Sequence, residues 1–356
     1  MLTIDLALQG GGSKGIALNA AIAELLRRGH VIRRVVGTSA GAIAASLVAT
    51  GFTGDELLEM SLERTDKDEP LFAEYVAEPL LSPSPQVEVE VSELQRAALR
   101  LPGELGRRLM TAHAAMSFFD TGGLNTGDGF TGWLLRTLEQ KSPGLSRITL
   151  GQLHARTGRH LTLIATDLTA RRLRALNHLS APDCPLVMAV RMSMSIPLLF
   201  AEVIWRAEWG TYLGQPLTGH ALVDGGMLSN LPVSFILPSA NPLVATLMGP
   251  PPTEPAIPVG LVLDTMLEVP GAPPEPAGRM AQSRFGHRLG ALMDTVINGA
   301  DLSLADASPV PLCHLPAKGY SATEFTMSQQ RAQALVDAAT AAARKYFDAL
   351  EAAQQR

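Results

Sequence analysis

Two short apolar runs, residues 2–8 and 31–36, open the chain. They are too short for helices and are bounded by glycine, which predicts buried strands. Between them residues 16–28 carry apolar positions at helical spacing and stop at Gly29. Residues 40–50 are small and apolar throughout and stop at Gly51, a second helix. A strand–helix–strand–helix order of these lengths predicts a parallel sheet with helices on both faces. Further along, Thr53 or Gly54 opens a helix running to Arg64, and residues 86–117 read as amphipathic helices broken at Pro102 and Gly103. A glycine-rich loop over 120–129 offers Thr126 as N-cap for a helix ending near Glu139. The pattern then predicts a strand hairpin over 160–165 and 171–176, and a helix over 184–195 closed by Ile196-Pro197. Strands follow over 200–206, 220–223 and 259–263, then long helices over 279–304 and 328–353. Proline-rich stretches at 250–258 and 270–276 read as surface connections. With no internal repeat and no low-complexity linker, residues 1–356 read as one domain, with 84–117 as a helical insertion or cap and 279–356 as a C-terminal helical region.

Composition narrows the class. At 46% apolar and 18% charged residues the chain can build a packed core, so disorder is not the default. A net charge of −5 without a basic block argues against nucleic acid as a partner. Cys184 and Cys313 are far apart and carry no metal spacing, which suits a reducing compartment or simple packing. The start of the chain has no signal-peptide pattern, and no apolar run reaches the ~18 residues of a membrane span. The expectation is a soluble, cytoplasmic protein that can still work at the periphery of a membrane.

The chemistry concentrates in three short motifs. Gly37-Thr38-Ser39-Ala40-Gly41 lies between the second strand and its helix, the G-x-S-x-G spacing of a nucleophile elbow. A tight turn leaves no room for side chains two residues before and after the serine, so Gly37 and Gly41 suit it. The helix N-terminus behind Ser39 favours negative charge. The competing reading is that Thr38 or Ser39 simply caps the helix, which leaves the flanking glycines unexplained.

Gly10-Gly11-Gly12-Ser13-Lys14-Gly15 follows the first strand and fits G-x-G-x-x-G, so a dinucleotide-binding oxidoreductase is a rival. That site needs an acidic residue at the end of the second strand, and residues 25–50 contain none. The last glycine is followed by Ile16 where a phosphate-binding loop needs lysine. The other use of such a loop is an oxyanion hole, in which the amides of Gly10, Gly11 and Gly12 face a developing negative oxygen. Lys14 either adds positive charge there or is a solvated or structural lysine. The third motif is Asp224-Gly225-Gly226, which ends an apolar strand; it is either a carboxylate presented to a cleft or an ordinary Asp-Gly turn. Of the eight histidines none sits in a loop motif, and His220 is the nearest to Asp224.

These three motifs in this order, with Arg191-Met192-Ser193-Met194-Ser195-Ile196-Pro197 between the second and third and Asn230-Leu231-Pro232 after them, resemble the patatin-like phospholipases over roughly residues 2–235. The resemblance implies a three-layer α/β/α domain with a mainly parallel central sheet. It implies a serine lipid acyl hydrolase acting on carboxylic esters of phospholipid or another acyl lipid at a membrane surface. Ser39 would be the nucleophile and Asp224 its general base, with no catalytic histidine and an acyl-enzyme intermediate. No metal ligand set is legible, so no cofactor is expected. A non-catalytic protein that keeps the fold is a third reading, against which the presence of both Ser39 and Asp224 weighs. Residues 94–119 mix leucine, methionine and phenylalanine with Arg96, Arg100, Arg107 and Arg108, which fits an interfacial segment or helices that cover the core.

Overall fold

The computed structural model describes residues 1–65, 70, 123–237, 242–250, 254–274, 295 and 310–355. The expected cap over 84–117, the interfacial segment over 94–119 and the helix over 279–304 lie outside these described residues, apart from the single residue 295.

The strands are β1 (Thr3–Leu8), β2 (Val31–Thr38), β3 (Gly123–Asn125), β4 (His160–Asp167), β5 (Arg172–Leu176), β6 (Leu198–Phe200), β7 (Val203–Ile204), β8 (Thr211–Tyr212), β9 (Gln215–Pro216), β10 (Ala221–Asp224), β11 (Ile257–Asp264) and β12 (Leu312–Pro316). The helices are α1 (Ile16–Arg27), α2 (Ala40–Ala49), α3 (Gly54–Leu62), α4 (Asp128–Lys141), α5 (Leu150–Thr157), α6 (Leu186–Ser193), α7 (Pro242–Met248) and α8 (Gln329–Gln354). The main sheet runs β12-β11-β1-β2-β4-β10-β7, with β5 also paired to β4. The pairs from β12 through β4 are parallel and those of β10 and β5 with β4 are antiparallel, so the sheet is mainly parallel.

Successive residues of β1 from Ile4 to Leu8 are all buried, which requires cover on both faces of the strand. Helices α1, α3 and α8 pack together, and α2 packs against β2, β4 and α6. The apolar positions that predicted α1, among them Leu18, Ile22 and Leu25, are fully buried, and α3 starts with a Thr53 capping box closed by Glu56. Among the described residues no helix is long and apolar enough to cross a membrane.

Several expectations change in detail. The helix after the glycine-rich loop starts at Asp128 behind Gly127, which takes a left-handed φ of 75°; Thr126 instead accepts a bond from the Asp128 amide at 3.3 Å. The helix expected over 184–195 is shorter, Leu186–Ser193, because Pro185 fixes its start. The strand expected over 200–206 is two short ones, β6 and β7. The sheet also reaches beyond residue 235: β11 pairs with β1 and β12 with β11, so the C-terminal third supplies one whole flank of the sheet. Cys184 and Cys313 are both buried free thiols.

Candidate active site

The register of the sheet brings the motifs to one edge. β1 and β2 are parallel neighbours, so the loop after Leu8 and the turn after Thr38 leave the sheet side by side. A Cβ on Gly10 would stand 3.0 Å from the Ser39 Cβ. Across β4, Thr38 is level with Ile164 and Asp224 with Ala165. Ser39 and Asp224 therefore flank a single intervening strand at the same height, with strands spaced ~4.8 Å apart.

Ser39 has φ 55° and ψ −122°, a left-handed conformation that costs a non-glycine residue on the order of 1–3 kcal/mol. The turn is held there by its packing. A Cβ on Gly37 would meet the Gly41 carbonyl oxygen at 2.2 Å, and one on Gly41 would meet the Leu8 oxygen at 2.4 Å. No side chain fits at either position. The Ser39 hydroxyl does not cap α2, which removes the capping alternative; instead the residue places its side chain at the N-terminus of a ten-residue helix.

The block from Arg191 to Pro197 joins the nucleophile candidate to the carboxylate. Ser193 Oγ accepts from the Ser39 amide at 3.2 Å and donates to the Ile164 carbonyl at 2.6 Å. The Ser195 carbonyl accepts from the Asp224 amide at 2.8 Å. Arg191 is fully buried; it donates to the Ser195 hydroxyl and to the carbonyls of Thr126 and Ala201, and it packs over Phe200. Burial outweighs the nearby Asp128 carboxylate and pulls its guanidinium down to about 10, still a cation at neutral pH.

Asp224 is 1% exposed. Its Oδ1 accepts from the Gly226 amide at 2.7 Å, while Oδ2 has no hydrogen bond of normal geometry among the described residues. The Ser39 hydroxyl lies near enough to favour the charged carboxylate without forming a well-aligned bond in this conformation. Desolvation outweighs that contact and the Gly226 bond and raises the carboxyl from its ordinary 3.8 to about 7. Gly225 is required because a Cβ there would meet the Ile164 oxygen at 2.3 Å. His220 sits just before β10, at the far end from Asp224, and its Nδ1 pairs with Asp167 at 2.9 Å in a cluster with Arg174. It is remote from Ser39.

The glycine loop is more constrained than its sequence suggests. The Gly10 amide donates to the Asn230 carbonyl at 3.0 Å, so it is already spent; the amides of Gly11 and Gly12 make no backbone hydrogen bond among the described residues. Gly12 has φ +56°, and a Cβ there would meet the Ala322 carbonyl at 2.0 Å, while one on Gly11 would meet Leu263 Cδ1 at 2.1 Å. Lys14 is not solvated: it is 1% exposed and packs beside Gly11. Asn230 donates from Nδ2 to the Gly10 carbonyl, and Thr38 donates to the Ser229 carbonyl, which ties the loop after Asp224 to both other motifs. Ser193, Leu263 and Ala322 are the site residues that sequence reasoning did not single out. Ser193 stood inside a recognisable block; nothing in the sequence marks Leu263 or Ala322.

Next to this site lies a cavity of about 110 Å³. Gly12 and Ala40 line it at the Ser39 end, and Ile43, Leu47, Met60 and Trp133 continue it between α2, α3 and α4.

A protein of Bacillus subtilis, the uncharacterized YqhO, is 29% identical over 342 residues, 94% of each chain. The uncharacterized R571 of Acanthamoeba polyphaga mimivirus is 22% identical over 238 residues, 65% of each chain. Among solved structures, VipD from Legionella pneumophila aligns at 16% identity and a TM-score of 0.44 over 97% of this chain and 67% of its own. ExoU of Pseudomonas aeruginosa, in complex with SpcU, aligns at 18% identity and a TM-score of 0.40, over 98% of this chain and 51% of its own. The profile of the patatin-like phospholipases matches residues 6–237, the stretch that contains all three motifs, and the chain belongs to that family.

Proposed function

We propose that this chain is a serine lipid acyl hydrolase that cleaves carboxylic esters through a Ser39–Asp224 dyad. At the level of the family, lipid hydrolysis follows from membership. The observation that carries the finer reading is a strained, uncapped Ser39 facing a buried carboxyl whose proton leaves near neutrality. Asp224 takes the Ser39 proton as Oγ attacks the ester carbonyl, and returns it to the leaving alcohol. Water then releases the acyl group from Ser39 by the same route. The free amides of Gly11 and Gly12, with the N-terminus of α2, stabilise the tetrahedral oxyanion; Gly10 holds the loop instead of donating.

The mainly apolar cavity beside Ala40, whose lining also includes Asn19, Arg64 and Glu324, suits the acyl chain of the substrate along its Ile43, Leu47, Met60 and Trp133 wall. Leu228, Met266 and Leu267 stand 53%, 72% and 41% exposed on the loops at the same edge of the sheet, where a lipid surface would meet the site. A dinucleotide reading gains nothing from the structure, since β2 ends at Thr38 with no acid for a ribose. The test is incubation of the purified chain with phospholipid vesicles and with a short soluble ester, alongside Ser39→Ala. Release of fatty acid or alcohol by wild type alone supports the proposal; equal release by both proteins, or none by either, refutes it.

A further inference from the structure

At the opposite edge of the same sheet three histidines meet. His154 lies on α5, His160 starts β4 and His178 follows β5. One potential ligand nitrogen from each can be chosen so that all lie within 4.8 Å of one another. The His154 and His178 rings stack at 3.7 Å between centroids and 17° between planes, and His160 stands edge-on to both, at 4.6 and 5.1 Å.

We propose that His154, His160 and His178 form a binding site for a divalent transition-metal ion of the zinc class, with three imidazole ligands and water completing the shell. The first argument is the tautomer. His154 Nδ1 lies 3.0 Å from the Arg159 carbonyl, which can only accept, so Nδ1 carries the proton and Nε2 presents its lone pair. A backbone carbonyl on the non-ligating nitrogen is the usual support for a metal-bound histidine. The second is an orphan: His178 Nδ1 is buried with no hydrogen-bond partner among the described residues. A buried ring nitrogen of that kind is satisfied by a metal as well as by a donor.

Ligand chemistry selects the ion. The cluster contains no carboxylate, which disfavours calcium and magnesium, and three imidazoles suit zinc, copper or nickel. Ligand nitrogens on a tetrahedral zinc stand ~3.4 Å apart for Zn–N bonds of ~2.0–2.1 Å. Closing separations of up to 4.8 Å to that distance requires the near-parallel His154 and His178 rings to turn so that their lone pairs converge on the ion. Arg33 and Arg34 oppose a cation here, but Asp5 pairs with each of them.

The ion would not act on the ester. Arg34 is level with His160 and Thr38 with Ile164, so four residues of strand, ~13 Å, separate the cluster from the turn at Ser39. It would tie α5 to the start of β4 and to the turn after β5, where Asn177 and Ser180 already hold the chain to Thr162 and Ala175.

The test uses the full, untagged chain stripped with a chelator and titrated with Zn²⁺ by calorimetry and with Co²⁺ by visible absorption. The expected result is one equivalent of either ion, with cobalt bands of low-symmetry coordination. Binding should weaken at least tenfold in His154→Gln and His178→Gln and stay unchanged in His314→Gln, whose histidine pairs with Asp264 elsewhere. Saturating zinc should raise the wild-type melting temperature by a few degrees, and chelator should reverse the shift. Should the variants fail to fold, acylation mapping of the wild-type histidines by mass spectrometry decides. Zinc should protect His154, His160 and His178 from modification and leave His314 reactive. No binding by the stripped wild type, unchanged affinity in folded variants, or no protection of the three would overturn the site.

Discussion

β2 and β4 carry different chemistry at their two ends. At the carboxyl end the backbone itself is unusual: Ser39 is left-handed, Gly12 is left-handed, and Gly37, Gly41 and Gly225 each have a carbonyl where a Cβ would be. Hydrogen bonds there mostly involve main-chain groups, including the Ser39 amide to the Ser193 hydroxyl and the Gly10 amide to the Asn230 carbonyl. At the amino end the β1–β2 register slips by one residue at Arg33, and side chains do the meeting. Arg33 and Arg34 close on Asp5, and His154, His160 and His178 gather beside them. A site made by constraining the backbone demands particular residues at neighbouring positions, so it writes a motif. A site made by packing side chains from three elements writes none.

The largest effect that would break this comparison is at the carboxyl end. Ser39→Ala and Asp224→Asn should each lower esterase kcat by ~10³-fold or more, and the double variant should be little worse, because the pair acts as a unit. Loss in His220→Ala with activity kept in Asp224→Asn would move the base elsewhere.

Next come the glycines, where the structure separates two substitutions that look alike. Gly11 has φ −176°, which alanine accepts, and only the end of the Leu263 side chain stands in the way. Gly11→Ala should cost ~10²-fold in kcat, the scale of one misaligned oxyanion donor, and adding Leu263→Ala should recover most of it. Gly12→Ala should not be rescued by Leu263→Ala, because both its φ and the Ala322 backbone forbid a Cβ. Equal rescue of both would show that backbone conformation is not the constraint.

A smaller effect concerns the cavity. Ile43→Trp should fill it and lower kcat/KM for long-chain esters by ~10–100-fold while sparing short ones, since each lost methylene contact is worth about 1–3 kcal/mol. An equal loss on both lengths would place the acyl chain elsewhere.

The smallest is a stability difference. Asp224 is raised from 3.8 to about 7 in the folded protein, so the neutral form is the stabilising one. Its contribution is complete below about pH 4 and is lost as pH rises through about 7. Asp224→Asn cannot titrate, so it should gain on wild type between about pH 4 and 7 in urea unfolding and hold that gain above. The ceiling is on the order of 4 kcal/mol, one pKa unit being about 1.4 kcal/mol. Parallel stability curves for the two proteins would mean that Asp224 is not desolvated.

How far the sequence is legible follows the same division. The strands and helices through residue 65 sit within two residues of their pattern, because short apolar runs between glycines leave few alternatives. That Ser39 and Asp224 reach the same edge of the sheet was readable only through motif order and resemblance, since 185 positions separate them; the register through β4 gives the physical reason. Ala322 against Gly12 was not readable at all. It depends on where a C-terminal loop lands once β11 and β12 have joined β1. The histidines at 154, 160 and 178 carry no ligand spacing in the sequence, and they meet because α5, β4 and the turn after β5 share one edge. The difference between Gly10 and its neighbours was equally hidden, as an Asn230 carbonyl decides which amide is free.

The central claim is that Asp224, as a carboxylate, activates Ser39. Its most direct measurement is the rate at which a phosphonate probe labels Ser39, followed by intact mass from pH 5 to 9 in wild type, Asp224→Asn and Ser39→Ala. In wild type the rate should rise with pH through about 7, as the buried carboxyl loses its proton. In Asp224→Asn labelling should be at least a hundredfold slower with no inflection near 7, and Ser39→Ala should take up no probe. Wild-type labelling with the same rate and pH profile in Asp224→Asn, or an adduct that persists in Ser39→Ala, would contradict the account.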